Sequence, residues 1–243
     1  MTWDKIALFV PTYGRTHNHL PTFIQSAIDM TDDPAKVHFS FLVNCNDQLS
    51  KDFINAYDFG PFSWEMIEEG LPRPHLAKYY NMLFALTKTR DESGTVVSMV
   101  GDDMVFRTKG WEKRMLDMIN EYKGIGVFWA NDDYIARENL CVNLFVTRQF
   151  INMTERPFMC ELFPGEMIDV VWDQVGRLTK TLHFDPDCHI WHNHSGKNPD
   201  ATSLRLDPAR KEGHRLGKKL ARSYGAEIAE RLKAKGIMGT SIC

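Results

Sequence analysis

Short apolar runs alternate with longer amphipathic ones along most of this chain. KIALFV reads as a buried first strand, followed by the polar loop PTYGRTHNHL. LPTFIQSAIDMT has helical spacing, and KVHFSFLVN returns to a strand that ends in the polar cluster Asn44-Cys45-Asn46-Asp47. DQLSKDFINAYDF predicts a short helix, and FSWEMIEE a strand that Gly70-Leu71-Pro72-Arg73-Pro74 breaks. HLAKYYNMLFALTKTR carries the strongest helical signal, with Leu76, Tyr80, Leu83, Phe84 and Leu86 on one apolar face. TVVSMV is a short buried strand that stops at Gly101-Asp102-Asp103. WEKRMLDMINEY predicts a helix, KGIGVFWA and LCVNLFVT strands, and PGEMIDVVWDQVGRLTK a further helix before TLHFDPD leads into CHIWHNH. This alternation predicts an α/β fold with a mostly parallel central sheet.

After Pro199 the pattern changes to a long helix in which Leu216, Leu220, Tyr224, Ile228 and Leu232 recur every four residues. The chain thus divides into a body, 1–204, and an amphipathic helical tail, 205–243, docked on or beside it. Charge sharpens that division. The tail holds ten Lys/Arg against four acids, a surplus of six, so a net charge of −3 leaves the body at −9. A basic tail on an acidic body suits either an anionic partner or a solvated helix face complementing the body.

The 243 residues, 43% hydrophobic and 25% charged, suit one ordinary globular unit. No apolar run is long enough for a transmembrane segment. The N-terminal run IALFV is too short for a secretory signal. Five cysteines without CxxC spacing point to a reducing cytoplasm and argue against a zinc finger.

In parallel α/β sheets ligands bind beyond the C-terminal strand ends, where several polar clusters fall. They are Pro11-Thr12-Tyr13-Gly14-Arg15, Asn44 to Asp47, Gly101-Asp102-Asp103 and CHIWHNH. Adjacent carboxylates after an apolar strand repel unless a cation or donor separates them. A hard divalent ion such as Mg²⁺ or Mn²⁺ answers that need, and an imidazole from His192 or His194 tilts the choice towards Mn²⁺. Asp103 is the favoured metal ligand; Asp102 either shares the site or caps the segment that follows.

The order of these motifs resembles the GT-A fold glycosyltransferases, nearest to the small family-two-like enzymes common in bacteriophage genomes. Pro11-Thr12-Tyr13-Gly14-Arg15 matches the end of the family's first strand. Asn44 or Asp47 matches the residue that meets the nucleotide base, and Gly70, Ala77 and Asn81 loosely match a loop-and-helix pattern. Gly101-Asp102-Asp103 matches a shortened Asp-x-Asp metal motif. Asp169, Asp173 and Arg177 match an acidic helix with a downstream arginine, and His192-x-His194 the terminal metal-binding histidine. The likeness runs from about residue 5 to residue 200, and departs from the family in the Gly-Asp-Asp spelling and in lacking a Glu-Asp dipeptide.

The resemblance implies a nucleoside diphosphate sugar donor, a UDP-sugar first, with Mn²⁺ or Mg²⁺ as cofactor. It implies donor contacts from Pro11, Thr12, Tyr13, Arg15, Asn44, Asp47, Lys78, Asp102 and Asp103, and a metal held by Asp103 with His192 or His194. Asp173 is the preferred base for an acceptor hydroxyl, with Asp169 and Glu166 next; inversion or retention stays open. Trp172, beside that base, is a candidate acceptor contact, as is Trp129. Lys218, Lys219 and Arg222 are candidates for holding an anionic acceptor, and the phage likeness suggests hydroxymethylated pyrimidine in DNA. Asp132-Asp133 reads as a turn more readily than as a sugar contact.

His192-Asn193-His194 is not a nuclease signature. That chemistry draws its residues from separate elements, whereas i and i+1 of an extended segment face opposite ways. The rival readings are a transferase acting on a surface glycan or protein, a nucleotidyltransferase, and a non-catalytic nucleic-acid-binding module. The second lacks its Gly-rich basic loop in VPTYGRTHNHLP; the third leaves Asp102-Asp103 unexplained.

Overall fold

A computed structural model describes residues 2–70, 76–87, 94–133, 139–159, 161, 168–193 and 209–239. Eight strands form one sheet. They are β1 (Lys5–Thr12), β2 (Val37–Asn44), β3 (Ser63–Glu69), β4 (Thr95–Met99), β5 (Met104–Phe106), β6 (Val127–Asn131), β7 (Leu144–Thr147) and β8 (Leu182–His192). Seven α-helices intervene or follow. They are α1 (His19–Met30), α2 (Gln48–Ala56), α3 (Leu76–Leu86), α4 (Trp111–Glu121), α5 (Arg148–Met153), α6 (Ile168–Thr179) and α7 (Ala209–Ala234).

The sheet order is β3-β2-β1-β4-β7-β6-β8-β5. The first four strands are mutually parallel, as are β6 and β8. The expectation of a mostly parallel sheet therefore holds, with three antiparallel pairings at β4–β7, β7–β6 and β8–β5. β7 is inverted between β4 and β6, so those two again run the same way.

Strand alternation sorts the core into two layers. Ala7 and Phe9 of β1 face one side with residues of α3, α5, α6 and α7. Ile6, Leu8 and Val10 face the other, with α1 and α4. Helices thus cover both faces of the sheet, which explains why β1 and β2 read as nearly continuous apolar runs.

Two local devices matter for the site. Asp47 caps α2, its side chain accepting the Ser50 N–H. β8 is one strand across TLHFDPDCHIWH, although Pro186 interrupts its ladder. The register jumps from Ala130↔Asp185 to Asn131↔His189, so the bulge absorbs the proline.

α7 lies against α6. At Gly225 a Cβ would stand 2.7 Å from the Val171 carbonyl oxygen, so the glycine permits the close approach. Ala221, Ile228, Ala229 and Leu232 are buried there, but Leu220 is 57% exposed. The expected i+4 stripe drifts, because a helix turns every 3.6 residues and Ala221 takes the inward position. Among the described residues no helix is long and apolar enough to cross a membrane.

Candidate active site

Because β1, β2, β3, β4, β6 and β8 all run the same way, their C-terminal ends share one edge of the sheet. That edge brings together Thr12, Asn44, the turn 101–103, Asn131-Asp132 and His192. At its centre, Gly101 to Met104 forms a turn closed by the Met104 N–H to the Gly101 carbonyl at 3.1 Å. The Asp103 carboxylate folds back over Gly101, where a Cβ would overlap its Oδ1.

Asp102 and Asp103 have different surroundings. Asp102 is buried; its Oδ2 accepts the Thr12 hydroxyl at 2.6 Å and its Oδ1 the Arg15 guanidinium at 2.6 Å. It neither caps the following segment nor presents a free oxygen pair to a donor, which corrects its expected donor contact. Burial raises the Asp102 carboxyl, against the pull of Arg15. Thr12, also buried, serves Asp102 in place of a ligand.

Asp103 is more open and looser in its contacts. Arg15 Nη1 lies 3.3 Å from its Oδ2 and His192 Nε2 3.6 Å from its Oδ1. Burial pushes this carboxyl up, but His192 and then Arg15 outweigh it and hold the group below its ordinary range. β8 fixes His192 from both sides. The His192 N–H donates to the Asp132 carbonyl at 3.1 Å, and the Asn193 N–H to the Asp103 carbonyl at 3.0 Å. Beneath the pair, Tyr80 donates to the Val100 carbonyl at 3.3 Å. Burial, then the two carboxylates, drives its phenol upward.

Asp103 and His192 thus offer one oxygen and one nitrogen towards the same point. Among the described residues no group of three His, Cys, Asp or Glu gathers. The pair fits a Mg²⁺ or Mn²⁺ ion whose other positions go to substrate phosphate and water. His194 and Glu166 lie outside the described residues.

On the β2 side, Asp47 Oδ2 accepts the Gly14 N–H at 2.7 Å while its Oδ1 caps α2, bracing the loop after β1. Asn44 donates to Glu69 at 2.6 Å and accepts the Asn46 N–H at 3.0 Å. Both expected base contacts are therefore engaged in holding the rim. Pro11 closes β1, half-buried, and Tyr13 beyond it is 44% exposed, free to stack. Lys78 is half-buried in the first turn of α3.

α6 corrects the expected base. Both Asp173 oxygens accept from Arg177, at 2.8 and 3.0 Å, and Arg177 also donates to the Asn139 carbonyl at 2.8 Å. A carboxylate so engaged is a poor proton acceptor. Asp169, in the first turn of α6, is raised to about 6, by burial first and then by Asp173, against its amide bonds and the His192 charge. Trp172 is corrected as well. It is 1% exposed, packed against Phe150 and Phe158, and presents no face to an acceptor. Trp129 is likewise buried. Lys218, Lys219 and Arg222 are exposed on α7.

Sequence reasoning missed the position of Asp132, buried and bound through its carbonyl to His192, and the paired role of Arg15. The Asp132-Asp133 turn holds as expected; Asp133 has φ 53° and its N–H meets Asn131 Oδ1 at 3.0 Å.

No protein-family model and no curated protein sequence matches the chain. Solved structures do. The S. aureus TarS fragment 1–349 in complex with UDP-GlcNAc superposes with a TM-score of 0.66 at 12% identity, over 95% of this chain and 73% of that one. The mannosyltransferase PcManGT of Pyrobaculum calidifontis, in complex with GDP-Man and Mn²⁺, gives 0.52 at 13% identity, over 98% and 77%. Against another TarS structure, the match covers 79% of this chain but only 37% of that chain. At such identities the likeness establishes the fold alone, and that fold is the GT-A-like one of glycosyltransferases.

Proposed function

We propose that this chain is a metal-dependent glycosyltransferase that moves a sugar from a nucleoside diphosphate sugar, a UDP-sugar first, to an acceptor hydroxyl. The observation that carries the reading is the convergence of Asp103 and His192 at 3.6 Å on the shared strand edge. The neighbours' titles, which name UDP-GlcNAc, GDP-Man and Mn²⁺, support the class of donor and cofactor.

Each residue then has a part. Asp103 and His192 hold the divalent ion, which supplies charge neutralisation for the departing diphosphate. Arg15, steered by Asp102, lends a second positive charge to the phosphates. Tyr13 stacks on the base, and Pro11 and Asp47 set the loop that presents it. Lys78 stands on the facing helix as a further phosphate contact. Asp169 takes the proton of the acceptor hydroxyl as that oxygen attacks the anomeric carbon, which makes the reaction inverting. A carboxyl raised to about 6 is matched to that task near neutral pH.

The acceptor is set here only as a hydroxyl. A DNA acceptor rests on the exposed Lys218, Lys219 and Arg222 and on the phage resemblance. Its direct test is transfer to hydroxymethylated duplex before and after neutralising those three.

The deciding experiment is nucleoside diphosphate release from a panel of UDP- and GDP-sugars, with Mn²⁺ or with EDTA, for wild type and Asp103→Ala. Slow, metal-dependent release from one donor, lost in the variant, is the expected result. Absence both of release and of metal-dependent donor binding by calorimetry would overturn the reading.

A further inference from the structure

Beside the Asp103–His192 pair lies a second cluster with no part in the scheme above. It is built from three strand ends. Val105 of β5 pairs with Trp191 of β8, and the Arg107 N–H continues that ladder to the His189 carbonyl at 3.0 Å. The Arg107 guanidinium lies over the Trp191 ring, 4.2 Å from its centroid. Asp133, beyond β6, ties the plate together: its Oδ1 stands 2.6 Å from His189 Nδ1 and its Oδ2 3.4 Å from Arg107 Nη1. The left-handed turn at Asp133 aims that carboxylate at both partners.

The plate shares its two outer strands with the metal pair. Met104, next to Asp103, stands opposite His192; Arg107 and His189 lie three residues along, about 10 Å at strand rise. Trp191 and His192 alternate across the strand, so the plate flanks the reaction point without blocking it. An aromatic plane edged by an arginine, an imidazole and a carboxylate offers stacking for a sugar's C–H face and partners for its hydroxyls. Arg107 is balanced by Asp133, Arg114 pairs with Asp185 at 2.8 Å, and Asp187 stands exposed nearby. That balance offers a polyanion little attraction.

We infer that Arg107, Trp191, His189 and Asp133 form an acceptor subsite for a neutral pyranose. The inference rests on the transferase reading.

Saturation-transfer NMR tests it on the whole chain with UDP and Mg²⁺. The probes are methyl glycosides of glucose, galactose, mannose and their N-acetylamino analogues. At least one sugar should give a signal that falls about tenfold in Trp191→Ala and in Arg107→Ala and returns in Trp191→Phe. The UDP signal should stay in place throughout. If Trp191→Ala does not fold, Arg107→Gln, at an exposed side chain, is read in its stead. Sugar signals that survive these substitutions, or no sugar signal beside a clear UDP signal, would overturn the subsite and leave the donor reading standing. No UDP signal in the wild type would overturn both. A labelled single-stranded DNA that binds in place of the sugars, and is lost in the same variants, would make the plate a base-stacking platform and overturn the pyranose assignment.

Discussion

The two sides of the strand edge hold their polar groups in opposite ways. On the β1–β2 side, the two oxygens of Asp102 and the two of Asp47 each accept a hydrogen bond from the protein at 2.6 to 3.2 Å. On the β6–β8 side, Asp103 meets its named side-chain neighbours only at 3.3 and 3.6 Å, and Asp169 is held by backbone amides. The first arrangement is a finished brace. The second is held by longer, weaker contacts that a cation or a substrate proton can replace. Adjacent acids of identical type therefore differ in purpose, and the difference is written in what already binds them.

The sharpest way to break this comparison is at α6. Asp169→Asn should lower turnover by about a hundredfold or more, the usual worth of a positioned base. Asp173→Asn should leave most activity and cost only a modest loss of stability, since it is a helix i,i+4 pair with Arg177. Steady-state rates on the donor found above decide between them; the reverse ranking would return the base role to Asp173.

Asp103→Asn should raise the metal concentration needed for half activity and lower the rate by about a hundredfold. Asp102→Asn should act mainly on folding, since it leaves Arg15 without its closest buried partner, with a loss of about 3 kcal/mol by chemical denaturation. Metal titration and denaturation of the two variants side by side separate brace from ligand.

The smaller effects concern pH. Asp169 is raised to about 6 from an ordinary 3.8, so the folded chain binds its proton more tightly than the unfolded one. Its contribution to stability is present at low pH and is lost as pH rises from about 4 through 6. Asp169→Asn should therefore melt higher than wild type at pH 8 and no higher at pH 4, even as it loses activity. Turnover of the wild type should fall on the acid side with a midpoint near 6, where the base becomes protonated. A melting difference of the opposite sign would show that the carboxylate is stabilised by a partner, not strained by burial.

Much of the frame was legible before any coordinates. Apolar runs and turn residues located β1, β2, β4 and their polar ends, and the carboxylate pair after a buried strand marked Asp103. The orientation of β7 was not legible, because LFVT reads the same in either direction. Nor were β5 and α5, too short to show a period. Asp173 and Trp172 were misjudged although signals existed. Arg177 stands four residues from Asp173, the spacing of a helical ion pair, and Val171, Trp172 and Val175 share the buried face of α6. The tight partners of Asp102 come from β1 and the loop beyond it, some ninety residues away, and no local pattern announces them.

The bulge at Pro186 sets the phase of everything that follows in β8. Downstream of it, even positions such as His192 face one side and odd positions such as Trp191 the other. Three residues, 186 to 188, separate the two registers against β6. Shortening that slack by one would keep the strand and its ladder but exchange its faces, putting an indole beside Asp103 and an imidazole beside Arg107. The proline kink acts as the tooth that keeps two gears in mesh, and a lineage that gained or lost a residue there would have to rebuild both surfaces at once.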